Sequence, residues 1–208
     1  TALAVALSAP VAGWVADRVG RKPLLVFGLV LYVIAGTSGA YLENLPLILV
    51  GRALLGVAVA AIMTSSNALI ADYFTGPERG AFIGLSSAFT SFGGVLLLPL
   101  GGLLANQGWH QPFLVYLSAL VILPTALSVI FEPVRQARDN SPKQSLSGFK
   151  TSSVYPIYAL AFCHMLVFYL GPTQMPFLLE TVGRLLPSEV GFAMGLFTLS
   201  SAVASLHY

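Results

Sequence analysis

Long stretches of apolar residues without a single Asp, Glu, Lys or Arg are what most limits the folds open to this chain. Residues 80–105 and 154–179 are the clearest examples among the 208 residues. A bilayer core about 30 Å thick is crossed by a helix of roughly 20 residues. Charged residues make up 9% of the chain, against about 25% in an ordinary soluble domain. We therefore predict a polytopic membrane protein, whose principal partner is the lipid bilayer.

The apolar stretches divide the chain into seven predicted spanning helices, at residues 1–16, 23–42, 46–71, 80–105, 111–131, 154–179 and 188–208. Spanning strands are disfavoured, because lone strands leave backbone groups unsatisfied in lipid and the alternating pattern of a barrel is absent. The predicted fold class is an all-α membrane helix bundle. Both termini fall inside apolar segments, so we expect a bundle incomplete at both ends, with no signal peptide.

Basic residues are concentrated on one side of the predicted bundle. Loops 17–22, 73–79 and 132–153 carry eight of the ten Lys and Arg residues: Arg18, Arg21, Lys22, Arg79, Arg135, Arg138, Lys143 and Lys150. The loops at 43–45, 106–110 and 180–187 carry only Arg184. We call the first side the basic end, and the positive-inside rule places it in the cytoplasm.

The segment 132–153 is the longest polar stretch, and it separates five predicted spans from two. We predict that residues 1–131 form an N-terminal bundle that lacks its first helix. Residues 132–153 would then be a cytoplasmic linker, and residues 154–208 the start of a C-terminal bundle.

The first basic loop lies in "GWVADRVGRKP", residues 13–23. Gly20 and Pro23 suit a short turn into the next helix. A role in membrane orientation accounts for the basic residues but leaves Asp17 unexplained. An acid in this position predicts a specific ion pair or an anion near a helix N-terminus.

This stretch resembles the signature loop between the second and third helices of the major facilitator superfamily. All six fixed positions agree, namely Gly13, Asp17, Arg18, Gly20, Arg21 and Lys22. The resemblance implies a conformational latch, in which these residues and an acid at the end of the fourth helix brace one half of a transporter against the other. The matching acid is Asp72.

Arg52 lies about six residues inside the span 46–71, where a cation is costly and needs a cavity or an internal partner. Arg52 and Gly56 resemble the family's fourth-helix motif, although the usual Gln between them is replaced by Leu55. The resemblance implies a role in proton coupling; the alternative is that the Arg52 side chain snorkels to the interface.

Met63 shares the face of Arg52 and Gly56, with Asn67 beside it. Met63 and Asn67 are substrate-binding candidates, while helix packing is the alternative.

Span 80–105 resembles the glycine pattern of the family's antiporters. Gly84, Gly93, Gly101 and Gly102 are in register with that pattern, but Pro99 stands one place late. The resemblance favours efflux by antiport, and general packing of small residues is an equal alternative.

Span 154–179 contains His164. Histidine is the residue whose unperturbed side-chain pKa lies nearest to neutral pH. His164 is therefore a candidate coupling residue, with a neutral histidine bonded to a neighbouring helix as the alternative. Pro172 and Pro176 predict interrupted helical bonding, and broken helices often line transporter sites. Tyr169, Thr173 and Gln174 are accordingly substrate-binding candidates.

The resemblance implies a secondary active transporter that works by alternating access, and it favours proton-coupled efflux of small amphipathic molecules. The alternative is proton-coupled or facilitative uptake of a sugar or another small metabolite. A membrane enzyme would need convergent catalytic groups, a channel would need a filter of repeated polar groups, and no ATP-binding loop of the G-x-x-x-x-G-K-[ST] type occurs. A receptor-like or structural protein stays possible but leaves the latch without a purpose.

The expected partners are a small-molecule substrate, protons and the bilayer, without nucleic acid, cofactor or metal. Cys163 is the only cysteine, so no disulfide can form within the chain. We expect a bacterial inner-membrane protein that is a monomer at full length. None of these spans holds an acid near its middle, so a carboxylate proton carrier would lie outside this chain.

Overall fold

The computed structural model describes residues 1–133 and 155–205, except for the side chains of residues 157, 158, 161, 164–169 and 201–205. These residues form seven α-helices and no strand. The helices are α1 Ala2–Val19, α2 Arg21–Thr37, α3 Leu45–Tyr73, α4 Gly76–Ala105, α5 Ala119–Val129, α6 Tyr155–Thr181 and α7 Pro187–Ser205. The predicted all-α class is confirmed.

Two 3₁₀ segments extend the helices at the end opposite the basic one. Ser38–Ala40 continues α2, and Gln111–Ser118 precedes α5. With these extensions, five helical segments of the described chain, from Ala2–Val19 to Gln111–Val129, are long and apolar enough to cross a bilayer. The predicted span 111–131 is thus only partly α-helical.

Prolines mark several of the helix starts. Pro46 and Pro77 lie in the first turns of α3 and α4, after Asn44 and Thr75. A proline is tolerated there because the first N–H groups of a helix have no intrahelical partner. In contrast, α6 continues through Pro172 and Pro176, so the predicted break in this helix is wrong, although each proline still lacks an N–H.

The helix α3 packs against both α1 and α2. On one side, Ala12 and Ala16 of α1 meet Leu24 of α2 and Ala61 of α3 in a buried cluster. Small side chains let helix backbones approach closely in lipid, where van der Waals contact drives association. These contacts place the last turns of α1 and the first turn of α2 beside α3.

A second buried cluster joins α2, α3 and α5 through Leu25, Leu29, Leu69 and Ala126. Because this cluster lies near the basic end of each helix, it brings the last turn of α5 beside the first turn of α2. The two helices are far apart in sequence, but their polar ends become neighbours.

The described residues divide into two compact units: residues 1–133 together with α7, and α6 with the residues that follow it to Leu186. Within the first unit, α7 packs along α4. The predicted division at residues 132–153 stays a prediction. Arg135, Arg138, Lys143 and Lys150, in the predicted linker, lie outside the described residues.

Candidate functional site

The basic loop 17–22 is a junction of two helices, so its prediction as a loop is wrong. Helix α1 ends at Val19 and α2 begins at Arg21, which leaves Gly20 as the only residue between them. Gly20 has φ 117° and ψ 159°, a region of backbone conformation that is essentially restricted to glycine. The charged side chains on either side of Gly20 are therefore carried by helical turns.

Arg21 lies between two acids at this junction. Its Nε atom is 3.1 Å from Oδ2 of Asp72, at the end of α3, and its Nη2 atom is 3.7 Å from Oδ1 of Asp17. The side chain of Arg21 is 19% exposed, that of Asp72 31% and that of Asp17 77%. The ion pair that joins α2 to α3 is thus both shorter and better shielded from water than the pair across Gly20.

The other predicted latch residues have different contacts. The Arg18 guanidinium lies over the Trp14 ring, 4.0 Å from its centroid. A Cβ atom at Gly13 would be 3.9 Å from Thr64 Cγ2, so α1 and α3 are in ordinary contact there. The structure therefore brings Asp17, Arg21 and Asp72 together and leaves Arg18 outside that cluster.

Lys22 contacts the end of α5 instead of an acid. Its Nζ atom donates a hydrogen bond to the Leu127 carbonyl, 2.9 Å away. Leu127 is in the last turn of α5, where carbonyl groups lack intrahelical partners and attract cations.

Glu132 is a residue of this site that the sequence analysis missed. Its two carboxylate oxygens accept hydrogen bonds from the backbone N–H groups of Arg21, at 2.8 Å, and Lys22, at 2.7 Å. The available signal was Gly20, because a glycine before α2 has no side chain with which to cap the helix. The Glu132 carboxylate takes the place of a side-chain cap at this helix start.

Arg52 lies at the other end of the bundle, among aromatic rings. Its Nη1 atom is 3.2 Å from the Tyr116 hydroxyl, and its guanidinium carbon is 4.5 Å from the centroid of Phe113. Tyr32 meets Tyr116 edge to face, with centroids 5.2 Å apart. Within the described residues, Arg52 has no acidic partner, so its interactions are a hydrogen bond and a cation–π contact.

Gly56, one turn from Arg52, is buried against the start of α1, where a Cβ atom would come within 2.6 Å of the Ala4 Cβ atom. Met63 and Asn67 lie exposed on α3, away from the side of buried Leu69. Their proposed contact with a substrate stays a prediction.

The other substrate-binding and coupling candidates lie on α6, in the second unit. Thr173 donates a hydrogen bond to the Leu170 carbonyl, and Gln174 borders a shallow depression along the helix. The side chains of His164 and Tyr169 lie outside the described residues.

Of the predicted packing residues in α4, two contact α7. A Cβ atom at Gly102 would lie 2.5 Å from the Pro187 carbonyl oxygen and 3.0 Å from the Gly191 Cα atom. Pro99 lies against Gly195. Gly84, Gly93 and Gly101 have open space at the Cβ position in the described part of the chain, and a packing role for them stays a prediction.

The comparison with protein families decides the identity of this bundle. The model of the Major Facilitator Superfamily matches residues 1–207. The chain belongs to the Major Facilitator Superfamily. Members of this superfamily are multi-pass membrane transporters, not enzymes, in agreement with the apolar helices described above.

Curated relatives in the superfamily include two proteins of Bacillus subtilis (strain 168). The chain is 31% identical to Multidrug resistance protein 1 over 78% of this chain and 42% of that protein. It is 27% identical to Multidrug resistance protein 2 over 98% of this chain and 52% of that protein. It is also 33% identical to a Probable vesicular acetylcholine transporter-B of Danio rerio, over 64% of this chain and 28% of that protein. This member of the Major Facilitator Superfamily thus spans about half or less of the length of these relatives.

Proposed function

We propose that this chain is part of a secondary active transporter that exports small amphipathic molecules in exchange for protons. The observation that carries the proposal is Arg21 held between Asp17 and Asp72 at the junction of α1, α2 and α3. The proposal is supported by the contact of Arg21 with both acids of the predicted latch and by relatives of this chain that are named as multidrug resistance proteins.

The energetics of the cluster suit a latch. Ion pairs that water reaches contribute only about 0.2–1 kcal/mol each, so the cluster is inexpensive to open. A free-energy difference of about 1.4 kcal/mol changes the ratio of two conformations tenfold. A few such contacts are therefore enough to favour one conformation without preventing the other, as alternating access requires.

In this proposal the basic end faces the cytoplasm and the protein lies in a bacterial inner membrane, as a monomer at full length. Arg52 would influence proton coupling while Tyr116 and Phe113 hold its guanidinium, and His164 stays a candidate proton carrier. Met63, Asn67, Tyr169, Thr173 and Gln174 stay the candidates for substrate contact.

The test is transport by the full-length protein in proteoliposomes with an imposed pH gradient. We expect movement of lipophilic dyes that stops when an ionophore collapses the gradient, and no movement of sugars. Empty liposomes and liposomes with the Arg21→Ala variant are the controls. Flux that ignores the gradient would contradict antiport, and gradient-driven movement of sugars alone would favour the uptake alternative.

A further inference from the structure

The start of α2 depends on a residue more than one hundred positions away in sequence. Gly20 precedes α2 and offers no capping side chain, so the first N–H groups of the helix need an external acceptor. The Glu132 carboxylate fills this role with one oxygen on each of the Arg21 and Lys22 N–H groups. A negative charge at this position also interacts favourably with the helix dipole.

The contact is reciprocal, because α2 also caps α5. The Lys22 ammonium donates to the Leu127 carbonyl in the last turn of α5, while Glu132 lies three residues beyond the end of that helix at Val129. The N-terminus of α2 thus receives a negative charge from the segment that follows α5. The C-terminus of α5 receives a positive charge from α2, and both charges have the sign that the helix dipole favours.

A third contact fixes the chain between α5 and Glu132. The Tyr73 hydroxyl at the end of α3 donates to the Phe131 carbonyl, and the two rings stack with centroids 4.6 Å apart. The exit of α5 is therefore attached to α2 through Glu132 and to α3 through Phe131. These are the two helices that carry Arg21 and Asp72.

Glu132 also explains why Gly20 has so little space. A Cβ atom at Gly20 would lie 2.8 Å from the Glu132 Oε1 atom. The carboxylate therefore lies against the bare backbone of the junction, and it would have to shift to make room for a side chain there.

We propose that Glu132 is a positioning residue for the latch: it fixes the first turn of α2, and with it the approach of Arg21 to Asp72. This inference rests on the proposed transport function. Loss of the Glu132 carboxylate would release the start of α2 and weaken the Arg21–Asp72 pair.

Hydrogen exchange tests the cap without any need for transport. In the full-length protein we expect the Arg21 and Lys22 amides to exchange about 5- to 30-fold faster in Glu132→Ala, the range expected for loss of a helix N-cap. Glu132→Gln, with one acceptor oxygen and no charge, should be intermediate. Glu78→Ala is the matched control, because Glu78 is an acid in the first turn of α4 at the same end of the bundle. Unchanged exchange in Glu132→Ala would overturn the proposal.

The positioning role is tested by a double-mutant cycle between Arg21 and Asp72, read out as thermal unfolding in detergent. We expect the coupling measured with Glu132 present to fall by at least half in the Glu132→Ala background and to remain in the Glu78→Ala background. A coupling that survives Glu132→Ala would overturn the positioning role even if the exchange result held. Both measurements are independent of substrate.

Transport then separates this inference from the proposed function. We expect Glu132→Ala to lower kcat with little change in KM, because the latch does not contact substrate, and Glu132→Asp to restore part of the rate. If Arg21→Ala slows transport and Glu132→Ala does not, the positioning role is wrong while the transporter stands. If the wild-type protein moves no dye or sugar, the proposed function fails, and the exchange and unfolding results still decide the role of Glu132.

Discussion

Arg21 is closer to Asp72 than to Asp17, with distances of 3.1 and 3.7 Å, and Asp72 is also the less exposed of the two acids. Interaction between charges strengthens as water is excluded and as they approach. Asp72, which lies on a different helix, is therefore the stronger partner. Asp17 adds a weaker contact from across the Gly20 junction.

This difference predicts which of two substitutions slows transport more. Asp72→Asn in the full-length protein should slow transport by roughly fivefold and Asp17→Asn by about twofold, because exposed pairs contribute less than shielded ones. Initial rates in proteoliposomes, normalised to the protein inserted, provide the measurement. Glu43→Gln, outside the ion-pair cluster, should leave the rate unchanged. A larger effect at Asp17 than at Asp72 would contradict the order derived from the structure.

Substitution of Gly20 should cost stability. Gly20→Ala places a side chain at φ 117° and within 2.8 Å of the Glu132 Oε1 atom, so we expect a loss of about 1–3 kcal/mol. Thermal unfolding in detergent measures it. Gly80→Ala is the control, since Gly80 is inside α4 with open space around it, and it should be neutral or slightly stabilising. Equal unfolding temperatures for the two variants would show that the junction does not require glycine.

Tyr116 should stabilise the side chain of Arg52. Tyr116→Phe keeps the ring and removes the hydroxyl that contacts Nη1 of Arg52, and a hydrogen bond to a charged group contributes about 1.5–3 kcal/mol. We expect a lower unfolding temperature for Tyr116→Phe, and little further loss when Arg52→Gln is added. Additive losses in this cycle would indicate that the two side chains act independently.

The contact between α4 and α7 predicts opposite outcomes for two adjacent glycines. Gly102→Val would push against the Pro187 carbonyl and the Gly191 backbone, and overpacking of this kind costs about 1–3 kcal/mol. Gly101→Val adds the same side chain where no neighbouring atom lies within 4 Å in the described structure. Unfolding temperatures of the two variants measure the difference, and similar values would argue against close packing at Gly102.

The positions of the helices were predictable because a span is set locally, by bilayer thickness and by polar residues at its ends. Each of the seven predicted spans overlaps an α-helix of the described residues, although 111–131 is α-helical only over Ala119–Val129, and the residues of α3 and α4 differ from prediction only at their ends. The proximity of Arg21 to Asp72 was expected from the resemblance to the signature loop.

What could not be predicted depends on contacts between distant parts of the chain. Glu132 caps a helix 110 residues before it, and no local pattern identifies which acid will reach a given helix start. The partner of Arg52 is likewise an aromatic hydroxyl 64 residues away. The α6 break was predicted from Pro172 and Pro176 alone, but a helix in lipid can continue through prolines when its remaining hydrogen bonds persist.

The one-residue connection at Gly20 limits how this protein can be engineered. An epitope or fluorescent tag inserted between α1 and α2 would separate the Glu132 carboxylate from its two amide donors and displace Arg21 from Asp72. The turn at residues 106–110 makes no ion pair with another helix in the described structure. It is the better place for a reporter of membrane sidedness, since we expect added length at the Gly20 junction to break the contacts of Arg21 and Lys22.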